Sequence, residues 1–169
     1  MGVFKKDGRI DPEGLDWYIL QNGWTSLYWR TSILEEDLKW FEKENYVIIE
    51  FNCKNWNNDK MMHGELKAKF DFPDYYGENF NALRDCLSDL NIIKTGLVIV
   101  LRHLDNVNKK TAHAILDIFA DNARLHMLFG NRIITLAQVD DPDFEIEPVG
   151  QTNVIWNGRE WLNSSREKK

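Results

Sequence analysis

The sequence predicts an α/β fold: a small three-stranded parallel sheet with helices between its strands, extended at both ends by β-hairpins. Three observations carry this. Residues 46–52 (Tyr-Val-Ile-Ile-Glu-Phe-Asn), 97–101 (Leu-Val-Ile-Val-Leu) and 133–137 (Ile-Ile-Thr-Leu-Ala) are short apolar runs rich in β-branched residues. Such runs suit strands buried on both faces, as in a parallel sheet. The segments between them place apolar residues at helical spacing, as right-handed crossovers between parallel strands require. Finally, Asn22-Gly23 and Asn157-Gly158 each interrupt a β-favouring aromatic run, which is the strongest short-range hairpin signal.

The elements follow in order. Residues 1–16 are polar, contain Gly8, Pro12 and Gly14, and read as loop. Residues 17–30 hold Trp17, Trp24, Trp29 and the first hairpin signal. A helix follows, with Ser32 and Glu35 at capping-box spacing, a Leu34–Leu38–Phe41 stripe and Asn45 suited to close it. Residues 46–52 form the first core strand and Asn55 to Asp59 a polar turn. Met62, Leu66 and Phe70 mark a helix over 60–70, and a turn and helix occupy 73–90. After the second strand, Ala112, Ile115, Leu116, Phe119 and Ala123 define a long helix within 107–128, which Gly130-Asn131 ends before the third strand. Asp140-Asp141-Pro142-Asp143 is an acidic turn. Phe144, Ile146 and Val149 suggest a weak edge strand limited by Pro148. The second hairpin signal and a frayed Lys/Arg/Ser-rich end follow. The expected organisation is an N-terminal extension at 1–45, a central unit at 46–139 and a C-terminal extension at 140–169.

Composition narrows the function. At 169 residues and 43% hydrophobic, the chain can bury a core of one domain's size. A formal net charge of −6 argues against direct nucleic-acid binding, which needs a basic stripe to neutralise phosphates. It suits a basic partner instead. Cys53 and Cys86 stand 33 positions apart with no CxxC or Cys/His cluster, so neither a disulfide framework nor a zinc site is expected. His63, His103, His113 and His126 are scattered without paired ligand spacing, and no metal or cofactor is expected. The first residues lack the apolar core of a signal peptide, and no apolar run reaches membrane-spanning length. Together these predict a cytoplasmic protein.

The most informative stretch is residues 73–87, Pro-Asp-Tyr-Tyr-Gly-Glu-Asn-Phe-Asn-Ala-Leu-Arg-Asp-Cys-Leu. Pro73 and Gly77 shape a turn, with Gly77 free to take φ > 0. Glu78 and Asn79 offer side-chain oxygens to the first free N–H groups of a helix. Phe80, Leu83, Leu87 and Leu90 put one face on a core. Asn81, Asp85 and Asp89 fall four apart on another face, which is polar and acidic. One of Tyr75 and Tyr76 should be buried and the other exposed. Five acids against Arg84 leave residues 71–90 with −4 of the chain's −6.

This stretch resembles the signature of the barstar family, intracellular inhibitors of the ribonuclease barnase. The shared features are Tyr75-Tyr76-Gly77-Glu78-Asn79, then Ala82-Leu83 and Asp85-Cys86-Leu87 at the same spacing. A weaker likeness runs through Leu97–Ile99 and Val107–Asp121, so that it covers roughly residues 46–139. It implies a non-enzymatic inhibitor or immunity protein of a toxin–antitoxin kind, whose partner is a basic ribonuclease or nuclease toxin. It also implies roles. Asp85 matches the family's principal phosphate-mimicking aspartate, Tyr75 the tyrosine that packs on the nuclease, and Asp121, loosely, a supporting glutamate. The implied partner-binding set is Tyr75, Gly77, Asn79, Asn81, Arg84, Asp85 and Asp121. Three positions depart: Asn81 stands where the family has a second helix aspartate, Arg84 where it has a tryptophan, and Leu90 where it has another interface aromatic. Two rival readings remain open. One is a non-inhibitory interaction module using the aromatic flanks. The other is a small hydrolase using Cys53 or Cys86 with a histidine such as His63.

Overall fold

The computed structural model of the protein describes residues 13–161. Five strands form one wholly parallel sheet. They are β1 (Thr25–Tyr28), β2 (Val47–Asn52), β3 (Leu97–Arg102), β4 (Ile133–Gln138) and β5 (Ile155–Trp156), arranged β2-β3-β4-β1-β5. The three strands read from apolar runs are β2, β3 and β4, and they are neighbours. The extensions add β1 and β5 to the same sheet.

Alternate side chains of each strand enter opposite cores, as the pleat dictates. Leu97, Ile99 and Leu101 of β3 join one cluster with Phe51, Leu66, Leu83, Ile115 and Phe119. Val98 and Val100 join the other, with Leu34, Leu38 and Phe41. Burial on both faces is why β3 and β4 show no apolar–polar alternation. Helices α3 (Asp59–Phe70), α4 (Phe80–Ser88) and α5 (Lys109–Leu128) supply the first face. Helices α1 (Leu15–Leu20) and α2 (Thr31–Lys43) supply the second. A single turn, α6 (Gly158–Trp161), follows β5.

Neither expected hairpin forms. The aromatic run before Asn22-Gly23 is α1, with Ile19 and Leu20 in the core, and the chain turns through Gly23 (φ 98°) and Trp24 (φ 66°) into β1. That strand then pairs in parallel with β4 on one side and β5 on the other. Burial of Leu27 and Tyr28 on the two faces outweighs the local turn signal. Asn157-Gly158 likewise leads from β5 into α6 rather than into a returning strand. Residues 144–148 are not a strand. Phe144 and Ile146 pack on the core from irregular backbone, and Val149 makes one antiparallel bridge with Thr152.

The capping box at Ser32 does not form either. Helix α2 begins at Thr31 and has no cap from its own flank. Glu35 turns instead to Arg102, 2.6 Å away. The N–H groups of Trp29 and Arg30 donate to Glu160 Oε1 at 3.0 and 2.8 Å, so α6 closes the entry to α2. The far end is as expected, with Asn45 left-handed at φ 64° just past the helix. Beneath α6 lies a buried polar network. Tyr28 donates to Asp37 Oδ2 at 2.6 Å, Asn157 donates to the same oxygen at 2.7 Å, and Arg159 reaches Asp37 Oδ1. Burial pushes the Asp37 carboxyl above its ordinary range.

Candidate functional site

Helix α4 starts as its residues dictate. Asn79 sits in extended backbone and accepts a hydrogen bond from Ala82 N at 2.8 Å, a side-chain N-cap. Its amide also donates to Gly77 O at 3.1 Å. The left-handed residue of the turn is Glu78 (φ 50°), not Gly77. Glu78 therefore shapes the turn and caps nothing. Gly77 serves the turn through its missing side chain: a Cβ there would stand 3.1 Å from the capping amide of Asn79.

Leu83, Cys86 and Leu87 anchor α4, and Phe80 and Leu90 lie partly buried at its ends. Its second anchor is α5, through Arg84 Nη1 to Asp121 Oδ2 at 2.6 Å and a 2.8 Å hydrogen bond between His126 Nε2 and Leu87 O. The opposite face carries Asn81, Asp85 and Asp89, all exposed. The Asp85 carboxylate has no hydrogen-bond or ion-pair partner among the described residues. A helix fixed at two places thus holds a free carboxylate toward solvent.

The entry turn divides its tyrosines as the sequence implies. Tyr76 is buried, its ring tilted against Phe72 with centroids 5.0 Å apart, and its hydroxyl meets His63 Nδ1 at 2.5 Å. Tyr75 is 80% exposed. It borders a shallow groove with Phe72, Cys86, Asp89 and Leu90, so a projecting ring flanks α4 on the side away from α5.

On the α5 side the expectation for Asp121 changes. Both its oxygens are occupied within the chain, Oδ2 by Arg84 and Oδ1 by Arg124 Nη2 at 3.1 Å. Asp121 holds two arginines in place and is not a free acid. Arg84, the residue least suited to a basic partner, is thereby neutralised by its own chain. Further along α5, Leu125, Leu128 and Phe129 are exposed. Sequence reading followed only the buried stripe of this helix and passed over them, although their spacing from Asp121 is helical.

The thiols do not form a site. Cys53 and Cys86 are both buried, and burial raises both thiol pKa values. Burial also pushes His63 below its ordinary range, and its Nδ1 is taken by Tyr76. No group of three or more potential metal ligands occurs among the described residues. None of their helices is long and apolar enough to cross a membrane. Of the tryptophans in the flanks, Trp24 and Trp156 pack against the cores, and Trp29 Nε1 donates to Asp140 O at 3.2 Å.

A relative from Bacillus subtilis (strain 168), named "Putative ribonuclease inhibitor YrdF", is 40% identical over 62 residues, 37% of this chain and 64% of the relative. A chain of the solved "Structure of Drosophila ORC bound to AT-rich DNA and Cdc6" is similar at a TM-score of 0.47 and 18% identity, over 90% of this chain and 57% of the other. The family model described as Barstar (barnase inhibitor) matches residues 46–133, from just before β2 to the first residue of β4 and including the whole α4 surface. The protein therefore belongs to the barstar family.

Proposed function

We propose that this protein inhibits a basic ribonuclease, as an intracellular immunity protein does, by seating the exposed face of α4 in the enzyme's cleft. The observation that carries the reading is Asp85: an unpaired, solvent-facing carboxylate on a helix anchored by its core face and by Arg84–Asp121. A ribonuclease cleft must hold phosphate with cationic side chains. A fixed carboxylate can take the phosphate's place and receive the same charge-assisted hydrogen bonds, and a rigid helix loses little freedom in doing so. Tyr75 would pack beside the cleft, Gly77 and Asn79 would shape the approach, and Asn81 would contribute hydrogen bonds without charge. Asp121 would act at one remove, by holding Arg84 and Arg124. Family membership and the name of the Bacillus relative support the same activity class.

The test is a titration of barnase and other basic bacterial ribonucleases with the wild-type chain and with Asp85→Ala. Removing one charged hydrogen-bonding group should weaken inhibition at least tenfold, about 1.4 kcal/mol or more. The substitution should leave the melting temperature unchanged, because Asp85 supports nothing in the fold. Equal inhibition by both proteins would remove α4 as the inhibitory element.

A further inference from the structure

The surface around α4 continues onto α5. Residues 121, 125 and 128 share one stripe at i, i+4, i+7 spacing, so Leu125 and Leu128 extend the ridge that begins at the Arg84–Asp121 pair. Phe129 follows at the helix end. Leu125 is 40% exposed, Leu128 73% and Phe129 77%. The fold does not ask for apolar residues here. The core face of α5 is supplied by Ala112, Ile115, Leu116, Phe119 and Ala123, and a polar side chain would keep a water-facing helix position equally well. A single exposed leucine needs no explanation, but three large apolar side chains together beside a charged surface mark an interaction site.

We propose that the ribonuclease seated on α4 also covers this end of α5, and that its surface beside the cleft carries an apolar patch facing Leu125, Leu128 and Phe129. The proposal rests on the inhibitor reading and names the kind of enzyme that reading requires. Continuity argues for one partner over both zones. Asp121 of α5 pairs with Arg84 of α4, and His126, between Leu125 and Leu128, meets Leu87 O of α4, so the apolar end of α5 adjoins the α4 surface. The two zones also divide the work. Every ribonuclease cleft is cationic, so the acids of α4 alone cannot choose among such enzymes. An apolar patch can, because a charged or hydrated rim opposite it would be desolvated without compensation.

Calorimetric titration of barnase and a panel of other basic bacterial ribonucleases tests this, using wild type, Asp85→Ala and Leu128→Ser/Phe129→Ser at low and high salt. Circular dichroism checks that the fold of each variant is kept. Against the tightest-binding enzyme, the double serine variant should lose at least about tenfold in affinity, by a similar factor at both salt concentrations. The loss for Asp85→Ala should shrink as salt rises. Weakening by Asp85→Ala with no change in the double variant overturns the inference and leaves the inhibitor reading standing. Failure of the wild type to bind any of the panel overturns both. Self-association of the free chain that the double variant abolishes would assign the patch to a second copy, and would also overturn the inference.

Discussion

At the scale of single residues, the decisive pair is Arg84–Asp121. On the inhibitor reading proposed above, an arginine on a surface facing a cationic cleft would cost affinity unless its charge were balanced, and Asp121 balances it at 2.6 Å. Both partners are partly exposed, so the pair adds only about 0–1 kcal/mol to stability. On the proposed reading its larger effect is on binding. Asp121→Ala should leave the melting temperature nearly unchanged and weaken ribonuclease binding several-fold, because two unbalanced arginines then face a cationic enzyme. Arg84→Ala/Asp121→Ala should recover part of that loss. If the single and double variants bind alike, Asp121 has no role in neutralising Arg84. None of this could be read from the chain, because a contact between residues 37 positions apart depends on how α4 and α5 are set against each other. What was legible is local: the Asn79 cap, the split between Tyr75 and Tyr76, and the exposure of Asn81, Asp85 and Asp89. Gly77 shows the limit of local reading, since the φ > 0 it could supply is taken by its neighbour Glu78.

At the scale of elements, β2, β3, β4 and their helices announced themselves through buried periodicity, and the flanks did not. The aromatic flank around Asn22-Gly23 has the chemistry of a hairpin, yet α1 and a parallel β1 bury more of it. Two-residue β5 is too short to carry a periodicity at all. The start of α2 departs from its capping-box pattern for a related reason. Its cap comes from Glu160, 130 positions from Arg30, and no local pattern can show that. Glu160 is buried, with Oε2 lacking a hydrogen-bond partner among the described residues while Oε1 accepts two backbone N–H groups. Glu160→Ala should therefore destabilise the fold by about 1 kcal/mol in urea unfolding, the cost of leaving two partly buried donors without their acceptor. Affinity measured on the remaining folded protein should not change, because α6 lies on the face of the sheet opposite α4. A variant as stable as wild type would mean that water satisfies those N–H groups.

At the scale of the whole molecule, the family signature spans residues 46–133, but the sheet extends beyond it. Strand β1 lies inside the sheet, between β4 and β5. Removing it would expose the β4 edge, where Leu136 and Ala137 are buried, and would orphan Asp37 from Tyr28. A chain trimmed to residues 46–139 should therefore lose cooperative unfolding or aggregate through the bared edge, visible as a broadened thermal transition or as a rise in light scattering. A trimmed chain that melts cooperatively and still binds ribonuclease would show that the extensions are dispensable.

The position of β1 also bears on the order of events during synthesis. It is the first of the described strands in the sequence, yet its neighbours β4 and β5 follow it by about 110 and 129 residues. Such distant pairings slow the search for the native state. Until β4 and β5 emerge, β1 has neither of its sheet neighbours, and the nascent chain must hold Leu27 and Tyr28 without their final surroundings. A chain built this way completes its sheet only after nearly all of the described residues have been made. On the inhibitor reading proposed above, its supply against a fast-appearing enzyme would be limited by completion of translation as well as by affinity.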